Sequence, residues 1–149
     1  MQIIPKMTFE EVRKQLSSSK PPVIFTSDDD ELNRRIIEKL EINIFLINQA
    51  GRKDFQKQRN SGFNQIMAKI AKKKGIAIGI NLDEIINSRG RQKADILART
   101  RQNIKICNKN KLKMVFVSAS GIKRDIYDLK SLGAVLGMPT WMTKYVKIF

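Results

Sequence analysis

Short, nearly continuous apolar runs alternate along the chain with segments whose apolar residues recur at helical spacing. Gln2 to Ile4, Val23 to Thr26, Ile42 to Ile47, Ile76 to Ile80 and Met114 to Ser118 read as strands. Helical patterns fill the intervals at Thr8 to Leu16, Asp28 to Leu40, Gly62 to Lys74, Arg91 to Lys109 and Asp125 to Leu136, and a last short helix opens at Pro139. Strands that are apolar on both faces and separated by helices are expected to be parallel and joined by right-handed crossovers. The pattern therefore predicts one α/β domain over residues 1–149, built from alternating β-α units. A full eight-unit barrel takes about 250 residues, so the expectation is an open or incomplete barrel.

Two helices define the expected packing. Phe63, Ile66, Met67, Ile70 and Ala71 form one stripe of the third helix, with Lys69, Lys72 and Lys73 toward the other side. In the fourth, Ala94, Leu97, Ala98, Ile104 and Cys107 are read as the core-facing stripe, with Arg99, Lys105 and Lys109 displaced from it. The lone Cys107 is then a buried thiol with no partner for a disulfide.

Charge changes the picture from a fold to a partner. The chain has 29 Lys and Arg against 14 Asp and Glu, a net charge of +15, far from the mixed surface that solubility alone requires. One basic cluster holds Arg52, Lys53, Lys57, Arg59, Lys69, Lys72, Lys73 and Lys74 against a lone Asp54; another holds Arg89, Arg91, Lys93, Arg99, Arg101, Lys105, Lys109, Lys111 and Lys113 against Asp95. A nucleic acid is the expected partner. Phe63 is assigned to the core, and Phe55, Tyr127, Trp141 and Tyr145 form no paired motif. Backbone contact with a structured RNA, rather than base stacking, is therefore the expected grip. The longest apolar runs are strand-length, short of the roughly 20 residues of a membrane span, and the start has no apolar signal region. The expectation is a cytoplasmic protein with no membrane partner.

The chain has no histidine, which removes the commonest general base and the commonest transition-metal ligand. The acid run Asp28-Asp29-Asp30-Glu31 reads as a helix start with Ser27 in N-cap position. Asp83 and Glu84 follow a strand, where an α/β enzyme places catalytic carboxylates, but Asn81 before them also makes an ordinary helix start. No phosphate-binding glycine signature is present. The expectation is no catalytic residue and no metal ligand in the chain. A stand-alone phosphoesterase using Asp83 and Glu84, or a generic basic module for DNA or RNA, are the competing readings.

Two polar, glycine-containing cassettes, Arg59-Asn60-Ser61-Gly62 and Asn87-Ser88-Arg89-Gly90-Arg91, each follow an apolar run and precede a basic helix. Such a loop leaves backbone N–H groups and arginine forks on one face, suited to phosphate oxygens. With Gln58 to Asn64, the run Ile70-Ala71-Lys72-Lys73-Lys74-Gly75-Ile76-Ala77-Ile78-Gly79, the run Ile85 to Arg91 and Leu136-Gly137-Met138, the chain resembles the RNase P protein component 3 family of archaea and eukaryotes. Order and spacing agree from about Arg59 to Met138. The resemblance implies a TIM-barrel-like fold and a noncatalytic subunit of ribonuclease P. In that family the RNA is the catalyst and holds the Mg2+, so no cofactor is expected on the protein. The implied partners are RNase P RNA, RNase P protein component 2 and, indirectly, precursor tRNA. Arg59, Asn60, Ser61, Gly62 and Asn64 would belong to one motif loop, and Asn87, Ser88, Arg89, Gly90 and Arg91 to the other. The arginines are expected on RNA phosphates and Asn60, Ser61, Asn87 and Ser88 as holding the loops. The family is usually longer, which again implies an incomplete barrel.

Overall fold

A computed structural model describes residues 2–4 as backbone and residues 7–149 in full. The apolar runs become strands β1 (Gln2–Ile4), β2 (Val23–Phe25), β3 (Ile44–Ile47), β4 (Ala77–Asn81) and β5 (Met114–Val117). Helices α1 (Phe9–Ser18), α2 (Asp30–Lys39), α3 (Gln65–Lys74), α4 (Leu82–Asn87), α5 (Gly90–Lys109), α6 (Ile126–Leu136) and α7 (Thr140–Thr143) separate or follow them. The strands form one five-stranded sheet in sequential order, and every neighbouring pair is parallel. Sequential order with a helix after each strand is the winding of a β/α barrel. Among the described residues no ladder joins β1 to the far edge, so the sheet is an open arc. At that far edge Phe116 N donates to the Lys147 carbonyl at 2.8 Å and Phe149 N to the Phe116 carbonyl at 3.0 Å, adding a short parallel bridge beyond β5.

The two faces of the strands bury different sets of side chains, as period-two alternation requires. On the helix-covered face Phe25, Phe45, Ile47, Ile78, Ile80, Met114 and Phe116 pack with Val12, Ile36, Met67, Ile104, Cys107 and Leu129. On the other, Ile24, Ile44, Leu46, Val115 and Val117 form a smaller cluster with Ala77 and Phe149. Gly79 lies on this inner side: a methyl there would stand 3.1 Å from the Leu46 Cα and 3.2 Å from an Ile44 methyl. The bare glycine lets β3 and β4 lie this close on that side.

Helix starts depart from the sequence reading where side chains cap them. Asp29, not Ser27, caps α2, accepting from the N–H groups of Glu31 and Leu32, while the Ser27 hydroxyl accepts from Asp29 N. Helix α3 begins at Gln65 rather than Gly62, because Asn64 accepts from Ile66 N and Met67 N. Phe63, outside the helix, still packs into the core; Ile66, expected in the buried stripe, is 57% exposed. Between β4 and α5 the chain forms α4, capped by Asn81, so the second cassette follows a short helix rather than a strand directly. In α5 the buried stripe is Ile96, Arg99, Thr100, Asn103, Ile104 and Cys107; of the expected set Ile104 and Cys107 are buried and Leu97 packs partly buried against the core, while Ala94 is exposed. No helix of the described residues is long and apolar enough to cross a membrane.

Candidate nucleic-acid interface

The carboxyl ends of β3 and β4 open at one end of the sheet, and each leads into a cassette. The loop of residues 48–64 after β3 has few apolar side chains to bury, so polar side chains from neighbouring elements hold it. Arg52 donates to both oxygens of Asp30 at 3.0 and 2.8 Å, and its Nε donates to the Asn48 carbonyl at 2.7 Å. Gly62 lies against that guanidinium at φ +70°, and a methyl group at this position would overlap it. Glycine is needed there for its backbone angle and for its missing side chain.

Arg99 holds the same loop from α5. It is 5% exposed. Its Nε donates to Asp54 Oδ1 at 2.9 Å, Nη1 to the Gln49 carbonyl at 3.1 Å and Nη2 to the Arg52 carbonyl at 2.9 Å. The Arg99 hydrogen bond, followed by one from Asn60 N, holds the Asp54 carboxyl below the usual aspartate range. From α4, Glu84 accepts from Gln49 N at 2.8 Å and Ala50 N at 3.2 Å. Burial outweighs these donors and raises the Glu84 carboxyl above its ordinary value. Asn81 Nδ2 donates to Asn48 Oδ1 at 2.9 Å, tying the ends of β3 and β4 directly.

Asp83 accepts from the Ser118 hydroxyl at 2.7 Å, from Ser120 N at 3.0 Å and from the Ser120 hydroxyl at 2.8 Å. Burial opposes its ionisation, but hydrogen bonds from Ser118 and Ser120 prevail and lower its pKa. Both carboxylates weighed for catalysis are thus engaged in fastening loops. Their geometry supports the helix-start reading over a phosphoesterase.

These bonds sort the candidate residues into braces and free cations. Arg52 and Arg99, expected on RNA, are structural: the Arg52 and Arg99 side chains are only 10% and 6% exposed. The folded-over loop brings carbonyls and Asp54 to α5, so arginine satisfies a face that hydrophobicity alone assigned to solvent. Ser61 and Ser88 are buried within their loops, donating to the carbonyls of Phe63 and Ile85 at 3.4 Å, and Asn64 serves as the α3 cap. Asn60 is held through its backbone, its N–H donating to Asp54 at 2.9 Å; Asn87 is exposed.

Lys53, Lys57, Arg59, Arg89 and Arg91 are exposed at this end. Arg59 lies 3.6 Å from Asp54 and 3.8 Å from Asp95, beyond hydrogen-bond length. Such surface pairs contribute about 0–1 kcal/mol and yield readily to a phosphate. In the second cassette Gly90 also takes positive φ, +54°, and Arg89 caps α5 without a side-chain bond. The first turn of α5 has no acid, so its positive helix end is not offset locally. Between the basic residues of the first loop, the Phe55–Gln58 turn lifts Phe55 to 63% exposure. In the sequence Phe55 was set aside as belonging to no paired aromatic motif; its signal was an aromatic outside any helical or strand period, flanked by Lys53 and Lys57.

Lys69, Lys72 and Lys73 on α3 and Lys105 and Lys109 on α5 are exposed but stand apart from the cassettes. Their helices run away from the cassette end, carrying Lys72, Lys73 and Lys109 toward the amino ends of the strands. There the Lys72 ammonium donates to the Lys111 carbonyl at 2.8 Å. The basic residues therefore occupy two ends of the molecule rather than one surface.

Comparison with known proteins places this arrangement in a family. The chain is 31% identical over 114 residues to ribonuclease P protein component 3 of Methanosarcina mazei, covering 76% of this chain and 44% of the relative. To the component 3 protein of Methanococcus maripaludis it is 24% identical over 134 residues, covering 90% of this chain and 54% of that one. It spans about half the length of these relatives. A chain in the cryo-EM structure of archaeal ribonuclease P with mature tRNA shares the fold, with a TM-score of 0.78 at 21% identity over 95% of this chain and 62% of that chain. The family model for RNase P subunit p30 matches residues 8–144, and the chain belongs to the RNase P subunit p30 family.

Proposed function

We propose that this chain acts as a noncatalytic protein subunit of ribonuclease P, binding the RNA subunit and supporting its active conformation during removal of 5′ leaders from precursor tRNA. The observation that carries the reading is the division of labour at the cassette end. Buried Arg99 and half-buried Glu84 hold the loop after β3 by its own backbone, leaving Arg59, Arg89 and Arg91 exposed beside it. A braced loop presents cations with little ordering cost on binding, the condition for tight backbone contact. Lys53 and Lys57 extend the surface, and Phe55 adds a face on which an unpaired base can stack. Family membership and relatives that are themselves components of ribonuclease P support the same reading.

In this proposal the RNA holds the Mg2+, RNase P protein component 2 is the protein partner, precursor tRNA is touched only within the assembly, and the setting is the cytoplasm. Competition binding at matched salt tests it. RNase P RNA is expected to outcompete an unrelated RNA duplex of equal length; equal affinity for both would reduce the chain to a generic basic module.

A further inference from the structure

Opposite the cassettes, at the amino ends of β4 and β5, a second cationic surface has a different construction. Lys72, Lys111 and Lys113 line a cleft of about 260 Å³ with Gly75, Ile76, Ala77 and Leu112. Beside it stand two aromatic rings from the α7 region. The Lys111 ammonium lies 5.3 Å from the centre of the Trp141 ring, that of Lys113 4.8 Å from the Tyr145 ring, and that of Lys144 6.0 Å from the same ring. Trp141 is fixed in turn, its indole N–H donating to Asn108 at 2.9 Å. The carboxylate paired at this end is Glu41, 3.7 Å from Lys74; among the described residues none pairs with Lys72, Lys111, Lys113 or Lys144.

The choice of ring over carboxylate matters. A carboxylate would position an ammonium and cancel its charge, whereas a ring face attracts the cation and leaves its net charge and N–H donors available. We infer that this end is a second RNA-contact surface, taking the phosphate backbone of an RNA segment distinct from the one at the cassettes. Helix α5, with 20 residues and so about 30 Å long, separates the two ends, too far for one phosphate cluster to serve both. The inference rests on the proposed function only in taking RNA as the partner.

The chain's single tryptophan makes this end observable. In the full chain, a short RNA duplex is expected to shield Trp141 from iodide quenching. Replacing Lys111, Lys113 and Lys144 together with glutamine is expected to lower the slope of log affinity against log salt by about three. The combined variant Arg59→Ala, Arg89→Ala, Arg91→Ala is expected to lower the slope separately while Trp141 shielding persists. A lysine variant with the wild-type slope, or unchanged quenching of Trp141 in the wild-type complex, would overturn the inference and leave the cassette reading intact; that result would also point to an acidic protein at this end. Wild-type protein that binds no RNA would overturn both.

Discussion

Arg99 Nε donates to Asp54 Oδ1 at 2.9 Å across 45 positions of sequence, and this bond joins the middle of α5 to the loop carrying the first cassette. With its other nitrogens on the carbonyls of Gln49 and Arg52, Arg99 fixes the loop's backbone rather than one side chain. Arg99→Ala is expected to destabilise the protein by about 3 kcal/mol, as for other buried, bonded charges. Arg59→Ala is expected to change stability by less than about 0.5 kcal/mol. Urea denaturation of both variants checks the contrast.

Acid should loosen the same loop. The Asp54 carboxyl is held low by Arg99 and Asn60, so its stabilising contribution is present above the unfolded value of about 3.9 and lost as pH falls through the lower native value. Asp54→Asn is expected to be less stable than wild type at neutral pH and to lose less on acidification. Denaturation midpoints between pH 6 and pH 2 measure the convergence.

Glu84 is expected to show the opposite sign. Burial raises its native pKa, so its contribution is full below about pH 4.3, the unfolded value, and is lost as pH rises through the native value. Glu84→Gln is expected to lack that decline, seen as a flatter stability profile from pH 4 to neutrality.

Gly79→Ala tests the inner face of the sheet. The added methyl meets the Leu46 backbone at 3.1 Å, and a strand backbone cannot move aside as a side-chain tip does. The expected cost is about 1–3 kcal/mol, typical of overpacking. A thermal melt checks it.

The parallel α/β architecture was legible because β2 to β5 are buried on both faces and their apolar runs are uninterrupted. Helix α4 was legible only in its start, where Asn81 precedes Asp83 and Glu84 and caps the helix, since Leu82–Asn87 is too short to show a period. The face of α5 was misread for a related reason: Arg99, Thr100 and Asn103 look solvent-facing until a loop folded from far upstream supplies their surroundings. At the candidate site the cassettes and their glycines stood out in sequence, as positive φ at Gly62 and Gly90 bears out. Which arginines brace and which stay free was not legible, because it depends on Asp30 and Asp54, whose partners lie 22 and 45 positions away. Nor did composition separate the two cationic ends, which only the direction of α3 and α5 sets apart.

Reconstitution separates a subunit that assists the RNA from a bystander. Cleavage of precursor tRNA by RNase P RNA and the remaining protein subunits, measured with and without this chain, is expected to be faster with it. The variant lacking the Arg59, Arg89 and Arg91 side chains is expected to be folded yet give little of that gain. Equal rates with and without the chain would rule out a part for it in the reaction.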